Sequence, residues 1–466
     1  MCAPGVDHAK RRVYTYSVSG SVYVFIPRGW EIPVQTNLSN LNRRRFLAGL
    51  TGLTAAGLLA GCGGNGNASS GGKKGLTFLN WEQVKGNPLE QAIQAFEKDS
   101  GTQVTIQPAV TQEYDTKMRT LIAGGSPPDV MRINDDFVRG FSQQGALLDL
   151  KPYIEKDKLD TSQYAKETFE FPLQPDGSHT AWVLGYQPRL IFYNADLFKQ
   201  AGVPLPPTTW SSQGWTWSDF EAAAKKLTDP AKKQYGALVY LDTGYEQTFT
   251  VNHGSETGIF SKDGTQFTLP GSKEVEALQW ATDLTCKDKV QPPWSMLQQD
   301  NVQNQMFAQG KIAMMFATFG TVPYLRSAVK DFTWDVAPPP GDVEQRTESS
   351  VIVFCVPKKA KNPDQAWELL KYLASEDGGK LLLQGGAFTP INLKAAAELA
   401  PNGKAPEHIG LFAEAAKHLT ATNQTKNTIG ARELYRPALD TAYNCEKPVG
   451  DVLQGVKSQV ENALKG

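Results

Sequence analysis

The chain has 466 residues, 40% hydrophobic and 20% charged, the balance of a soluble globular protein long enough for two or three domains. Its 47 Lys and Arg nearly cancel its 48 Asp and Glu, for a net charge of -1, so the basic surplus of a nucleic-acid binder is missing and no nucleic-acid partner is expected. The five cysteines (Cys2, Cys62, Cys286, Cys355 and Cys445) form no CxxC pair, and no His stands at zinc-ligand spacing, so no metal site is expected either.

The first distinctive stretch is "NRRRFLAGLTGLTAAGLLAGCGG", from Asn42 to Gly64. The apolar run from Phe46 to Ala60 is short for a bilayer core, which asks for roughly twenty apolar residues, but it suits the apolar region of an export signal. The arginines before it resemble a Tat signal. "LAGC" at Leu59 to Cys62 resembles the lipobox of bacterial lipoproteins, which implies cleavage before Cys62, a lipid on its thiol and anchoring at the outer face of the cytoplasmic membrane, on the cell surface or in the periplasm. Residues 42–61 are read as this signal peptide and 62–75, "CGGNGNASSGGKKG", as a flexible tether too poor in apolar residues to order itself. Residues 1–41 fit no export logic and read as a mis-assigned or dispensable leader, with translation starting downstream near Val34.

From Leu76 strand and helix patterns alternate, which predicts a mostly parallel sheet with helices on its faces. "LTFLNW" is a strand, and "NPLEQAIQAFEKDSG" is a helix with Leu89, Ile93 and Phe96 on one face and Gly101 ending it. "TQVTIQPAV" is a strand, "EYDTKMRTLIAGG" a helix and "DVMRIND" a strand again. A strand from Leu190 to Tyr193 leads into a proline-rich loop, and Ser218 with Glu221 reads as a capping box. "NVQNQMFAQG" is a helix stopped by Gly310, and "KIAMMFA" is a strand running into the loop "TFGTVPY". "SSVIVFCVPK" is a buried strand with Cys355 as a small hydrophobe, followed by a helix with Asn362 as cap and Pro363 in its first turn. In an exported chain Cys286 and Cys445 can pair, although spacing alone does not settle connectivity.

Six stretches in this order carry a resemblance: "PPDVMRINDDFVRGFSQQGALLDLKPYI", "LIFYNADLFKQAGVPLPPTTW", "WTWSDFEAAAKKLTD", "MFAQGKIAMMF", "WDVAPPPG" and "NPDQAWELLKYLASEDGGKLLLQGGAFTPIN". Together they resemble the extracellular solute-binding proteins of ABC importers, in the carbohydrate-binding family with maltose- and glycerol-phosphate-type receptors, from Leu76 to the C-terminus. The resemblance implies an α/β, two-lobe periplasmic-binding-protein type II fold with three hinge crossings, near Gln187–Leu190, Val336–Pro340 and Thr389–Ile391. Lobe 1 would hold 76–187 and 338–388, and lobe 2 would hold 189–337 and 390–466. It also implies a monomer without cofactor that closes on a carbohydrate ligand and delivers it to ABC permease subunits. A polyamine, peptide or oxyanion receptor, or a surface sugar sensor without a transporter, stands as the alternative.

A sugar site needs paired hydrogen-bonding side chains and aromatic platforms. Trp81 and Glu82 follow the first strand, and Asp135 and Asp136 follow "DVMRIN". By resemblance Asp136 falls where the family has a ligand-binding carboxylate, although it also reads as a helix N-cap. Gln187 falls where sugar hydroxyls are bonded, and its neighbour Tyr186 reads either as a stacking ring or as hinge packing. Tyr245 and Glu246 sit where the family places an aromatic or polar contact. After "KIAMMF" the family carries a Gly-x-Trp platform, whereas this chain has Phe319 and Gly320, leaving Phe319, Trp215 or Trp217 to replace it. Phe388 is a further candidate ring. No nucleophile elbow, phosphate loop or HExxH motif is present. An enzyme reading rests on Asp136 facing Glu246 as a glycosidase pair, and the expectation is a binding protein.

Overall fold

The computed structural model describes residues 14–18, 21–25, 75–80, 86–108, 114–386 and 388–465. The export signal, Cys62, the tether up to residue 74, Trp81 and Glu82 lie outside the described residues, and Gly75 at the end of the expected tether already belongs to a strand. The chain divides into two units, Met1–Ser70 and Gly71–Gly466. In the first, strands Tyr14–Val18 and Ser21–Phe25 pair as an antiparallel hairpin, with Tyr14 opposite Phe25.

The second unit is α/β. Its principal elements in chain order are β1 (Gly75–Asn80), α1 (Pro88–Ser100), β2 (Gln103–Pro108), α2 (Tyr114–Ala123), β3 (Val130–Ile133), β4 (Trp182–Asn194), α3 (Trp217–Leu227), α4 (Tyr245–Asn252), α5 (Ser272–Cys286), β5 (Met314–Thr318), α6 (Val322–Ala328), β6 (Trp334–Ala337), β7 (Thr347–Cys355), α7 (Pro363–Leu373), α8 (Glu376–Leu383), β8 (Thr389–Pro390), β9 (Leu419–Thr420), α9 (Thr428–Tyr443) and α10 (Val449–Ala463). Local chemistry explains their limits. The Asn87 side chain accepts from the Glu90 amide, Pro88 occupies the first turn of α1, and Gly101 ends it at φ 70°. The capping box of α3 is Thr216 with Asp219, two residues before the expected Ser218 and Glu221, because Trp217 already opens the helix. The loop expected after "KIAMMF" turns into α6, with Pro323 in its first turn.

The strands form one nine-stranded sheet whose main path is β8-β4-β7-β3-β1-β2, with β5 and β6 added on β4 and β9 on β7. Among the described strands, β1–β2, β1–β3 and β7–β9 pair in parallel. The expected mostly parallel sheet therefore holds for β1, β2 and β3 and for the short β9 beside β7. The remaining pairs are antiparallel because β4 and β7 carry the chain in opposite directions between two hydrophobic cores.

The first core contains Phe78, Ile93, Met118, Met131, Trp182, Phe354 and Trp367, and the second contains Phe192, Phe249, Phe316, Phe319, Phe412 and Tyr435. β4 serves both. Its Trp182–Pro188 half pairs with β7 and its Arg189–Tyr193 half pairs with β5, so the partner changes at Pro188. Its apolar run "WVLGYQPRLIFYN" is buried along nearly its whole length, as a strand covered on both faces must be. Ahead of β7 the backbone stays with the second core: Trp217 N–H donates to Gly341 O at 3.0 Å and Val343 N–H to Asn252 O at 2.9 Å. Pairing with the first half of β4 starts at Ser349. Cys286 at the end of α5 is disulfide-bonded to Cys445 after α9, which joins two segments of the second core 159 residues apart.

Candidate functional site

Where β3 ends, Asn134 turns the chain: its side chain accepts from the Asp136 amide and caps a short turn, Asp135–Phe137. The cap role is thus taken by Asn134, and the Asp136 carboxylate faces away from the turn. It receives a bidentate pair from Arg432 of α9 at 2.6 and 2.9 Å. Two further bonds cross between the cores: Arg139 Nη1 donates to Gln424 O at 2.7 Å, and Gln424 Nε2 donates to Phe171 O. Between these contacts lies a cavity of about 190 Å³, lined by Asn134, Asp135, Asp136, Arg189, Glu348, Ser349, Ser350, Asn423, Gln424 and Arg432, with Phe171 and Tyr435 as its rings.

This chamber is charged and internally neutralised in part. Arg189, buried at the partner change of β4, bonds Asp242 and Glu348 and reaches the hydroxyls of Thr243 at 3.2 Å and Ser350 at 3.1 Å. Gly244 leaves the room this requires, since a Cβ there would collide with the Arg189 guanidinium. Asp135 receives the Asp136 amide, while the cation beside it, Arg432, pairs with Asp136. Burial, followed by the charges of Asp136 and Glu348, pushes its pKa up to about 7. Burial also raises Glu348, although Arg189 opposes it.

A second chamber of about 340 Å³ adjoins the first. It is lined by Asn87, Pro88, Leu89, Arg132, Leu184, Gln187, Pro323, Ile352, Phe354, Leu382, Gly385 and Phe388. Three neighbouring strands lead from one chamber to the other within two residues: Arg132 on β3 to Asn134 just past its end, Ile352 to Ser350 on β7 and Gln187 to Arg189 on β4. Residues two apart share a sheet face and stand about 6.6 Å apart, so the chambers are successive parts of one cleft.

The sequence candidates separate accordingly. Asp135 and Asp136 line the charged chamber, and Gln187 and Phe388 line the other. Tyr186, Tyr245, Glu246 and Phe319 line neither chamber. Tyr186 is fully buried. The Tyr245 hydroxyl bonds that of Tyr443, and Glu246, with no exposure, receives Arg436 at 2.6 Å. Phe319 stacks on Phe412 at 4.4 Å inside the second core. Trp217 stacks on Trp280 at 4.2 Å, and Trp215 packs against Phe220. Asp136 and Glu246 each hold a different arginine one turn apart on α9, and of the two only Asp136 lines the charged chamber. The charged chamber is also lined by Arg189, Glu348, Asn423, Gln424 and Arg432, none of which the sequence reading named. Arg189 had a readable signal, a charge heading the apolar run "LIFY".

Residues 80–380 match the family model of the bacterial extracellular solute-binding protein. A maltodextrin-binding protein of Bacillus subtilis is 26% identical over 72% of this chain and 78% of its own length, and a binding protein of Brucella abortus is 27% identical over 73% and 82%. The structure of an ABC substrate-binding protein from Listeria monocytogenes in complex with cycloalternan superposes with a TM-score of 0.71 at 25% identity, covering 84% of this chain and 99% of that one. A family model matched over more than half the chain, a cleft between two cores and a shared fold make this chain a bacterial extracellular solute-binding protein, an exported member of a family of binding proteins.

Proposed function

We propose that this protein captures a carbohydrate in the cleft between its two cores and presents it to the permease subunits of an ABC importer. The observation that carries the reading is the charged chamber. Asn134, Asp135, Glu348, Asn423 and Gln424 offer the paired donors and acceptors that vicinal hydroxyls need, on a scaffold that links both cores. The chamber alone falls short of the roughly 300–1,000 Å³ usual for small-molecule sites, and the two chambers together fall within it. The maltodextrin- and cycloalternan-binding relatives support a sugar as the solute.

Closure is a hinge motion in which ligand shifts the population toward the form the permease recognises. We place the hinge at Pro188–Arg189 of β4 and at residues 347–349 of β7, where those strands change partner, later than the expected Val336–Pro340, and at Thr389–Ile391, where β8 returns beside β4. Asp135, Asp136 and Gln187 are the proposed hydrogen-bonding residues and Phe388 the proposed ring, with Arg189, Glu348 and Arg432 added. The protein acts as a monomer held to the membrane by a lipid on Cys62. Loss of acyl labelling in Cys62→Ala would support the anchor, and unchanged labelling would exclude it.

A thermal-shift screen tests the ligand class. A ligand that binds only the folded state at one hundred times its Kd adds about 2.7 kcal/mol. Stabilisation by mono- or oligosaccharides is the expected result. If polyamines or oxyanions raise the melting temperature and no sugar does, the carbohydrate reading fails.

A further inference from the structure

The second chamber is chemically unlike the first. Leu89, Leu184, Pro323, Ile352, Leu382 and Phe388 set its character, and Asn87, Arg132 and Gln187 are its only polar side chains among the described residues. A second sugar ring placed there would bury several hydroxyls against hydrocarbon, and each hydroxyl without a partner weakens binding. An alkyl or aryl group would meet no such penalty. The chamber also borders the charged one along a single sheet face, two residues away on β4 and β7 and at the end of β3. At about 340 Å³ it exceeds the charged chamber, so the apolar part of the ligand is no minor appendage.

Building on the carbohydrate reading, we propose that the preferred ligand is a glycoside with an apolar aglycone: the sugar occupies the charged chamber and an alkyl or aryl group occupies the chamber between α1, α8, Pro323 and Phe388. Gly185 supports this assignment. It lies directly under Phe388, where any Cβ would strike the ring, so the close approach holds the ring in the chamber wall. Pro323, from α6 of the second core, adds a wall from the other side of the cleft, so hinge closure would cover the aglycone as well as the sugar.

Calorimetric titration of the full chain with free sugars and with their methyl, hexyl and phenyl glycosides tests the proposal. Burial of each methylene is worth about fourfold in affinity, so a hexyl glycoside should bind at least tenfold more tightly than its methyl counterpart. Leu89→Glu, which places a charge in the apolar chamber, should remove that gain, so that hexyl and methyl glycosides bind the variant alike. Phe388→Ala should reduce the gain for the phenyl glycoside, with a melting curve confirming that the variant is folded. If sugars bind and the hexyl and phenyl glycosides bind no more tightly than the methyl ones, the aglycone assignment is overturned while the carbohydrate reading stands. If neither sugars nor glycosides bind, both are overturned.

Discussion

Asp136→Asn separates a bond that closes the cleft from one that holds the fold. The carboxylate receives both Arg432 nitrogens, at 2.6 and 2.9 Å, and it is 11% exposed against 35% for the arginine. Breaking a fully buried pair by removing one charge costs about 3–5 kcal/mol, and a surface pair is worth about 0–1 kcal/mol. A pair at this depth, with its arginine partly in water, belongs between them, at about 1–2 kcal/mol. Asp136 follows a strand of the first core and Arg432 lies on α9 of the second, so opening the hinge would separate the two charges into water without unfolding either core.

The loss should therefore fall on closure. The closed-to-open ratio of the ligand-free protein should drop about five- to thirtyfold, while the urea midpoint moves little. Small-angle scattering, or a fluorescence pair with one dye on each core, would read the first quantity and denaturant unfolding the second. At 1 M salt, where the Debye length is about 3 Å, the parent should shift toward the variant and the variant should hardly respond. An unchanged scattering radius, or a stability loss equal to the closure loss, would refute the argument.

Four further outcomes follow from other residues. Replacing Cys286 and Cys445 by Ala should cost about 2–4 kcal/mol of stability, because the bridge closes a long loop in the unfolded chain, and reductant should bring the parent down to the variant in urea. Phe319→Ala should cost about 3–5 kcal/mol as a core cavity and leave ligand affinity per folded molecule unchanged; lost affinity in a fully folded sample would return Phe319 to the site. The pKa of Asp135 is raised on folding, so the folded state binds the extra proton between its unfolded value near 4 and about 7, and stability should fall as pH rises through that window. Asp135→Asn should remove that slope and melt above the parent at pH 8 but not at pH 4. Gly244→Ala should displace Arg189 and weaken ligand binding, which titration would detect.

Local pattern made the elements legible, and long-range pairing hid the site. Ile93 and Phe96 at helical spacing, Asn87 before Pro88 and the apolar run around Cys355 each depend on a few neighbours in sequence, and each takes the form its pattern implies. Order of landmarks supplied the fold class, which periodicity could not. Rings and carboxylates were harder to read, because a Tyr, Phe or Glu is the same letter whether it faces a cleft or a core. Tyr245 and Glu246 became interior residues through Tyr443 and Arg436, some 190 positions away, and nothing near them in sequence announces those partners. The same distance explains the residues that were missed. Arg432 matters because α9 packs opposite the end of β3, 296 residues earlier in the chain. A buried charge offers a partial remedy. Arg189 interrupts an apolar strand where its partner changes, and it pairs with Glu348 at the polar start of β7, because burying a charge is costly without a partner. Under the proposed reading, a charged residue inside an apolar strand therefore points both to the hinge and to the polar floor of the cleft, because only a partner from elsewhere in the fold can offset the cost of burying it.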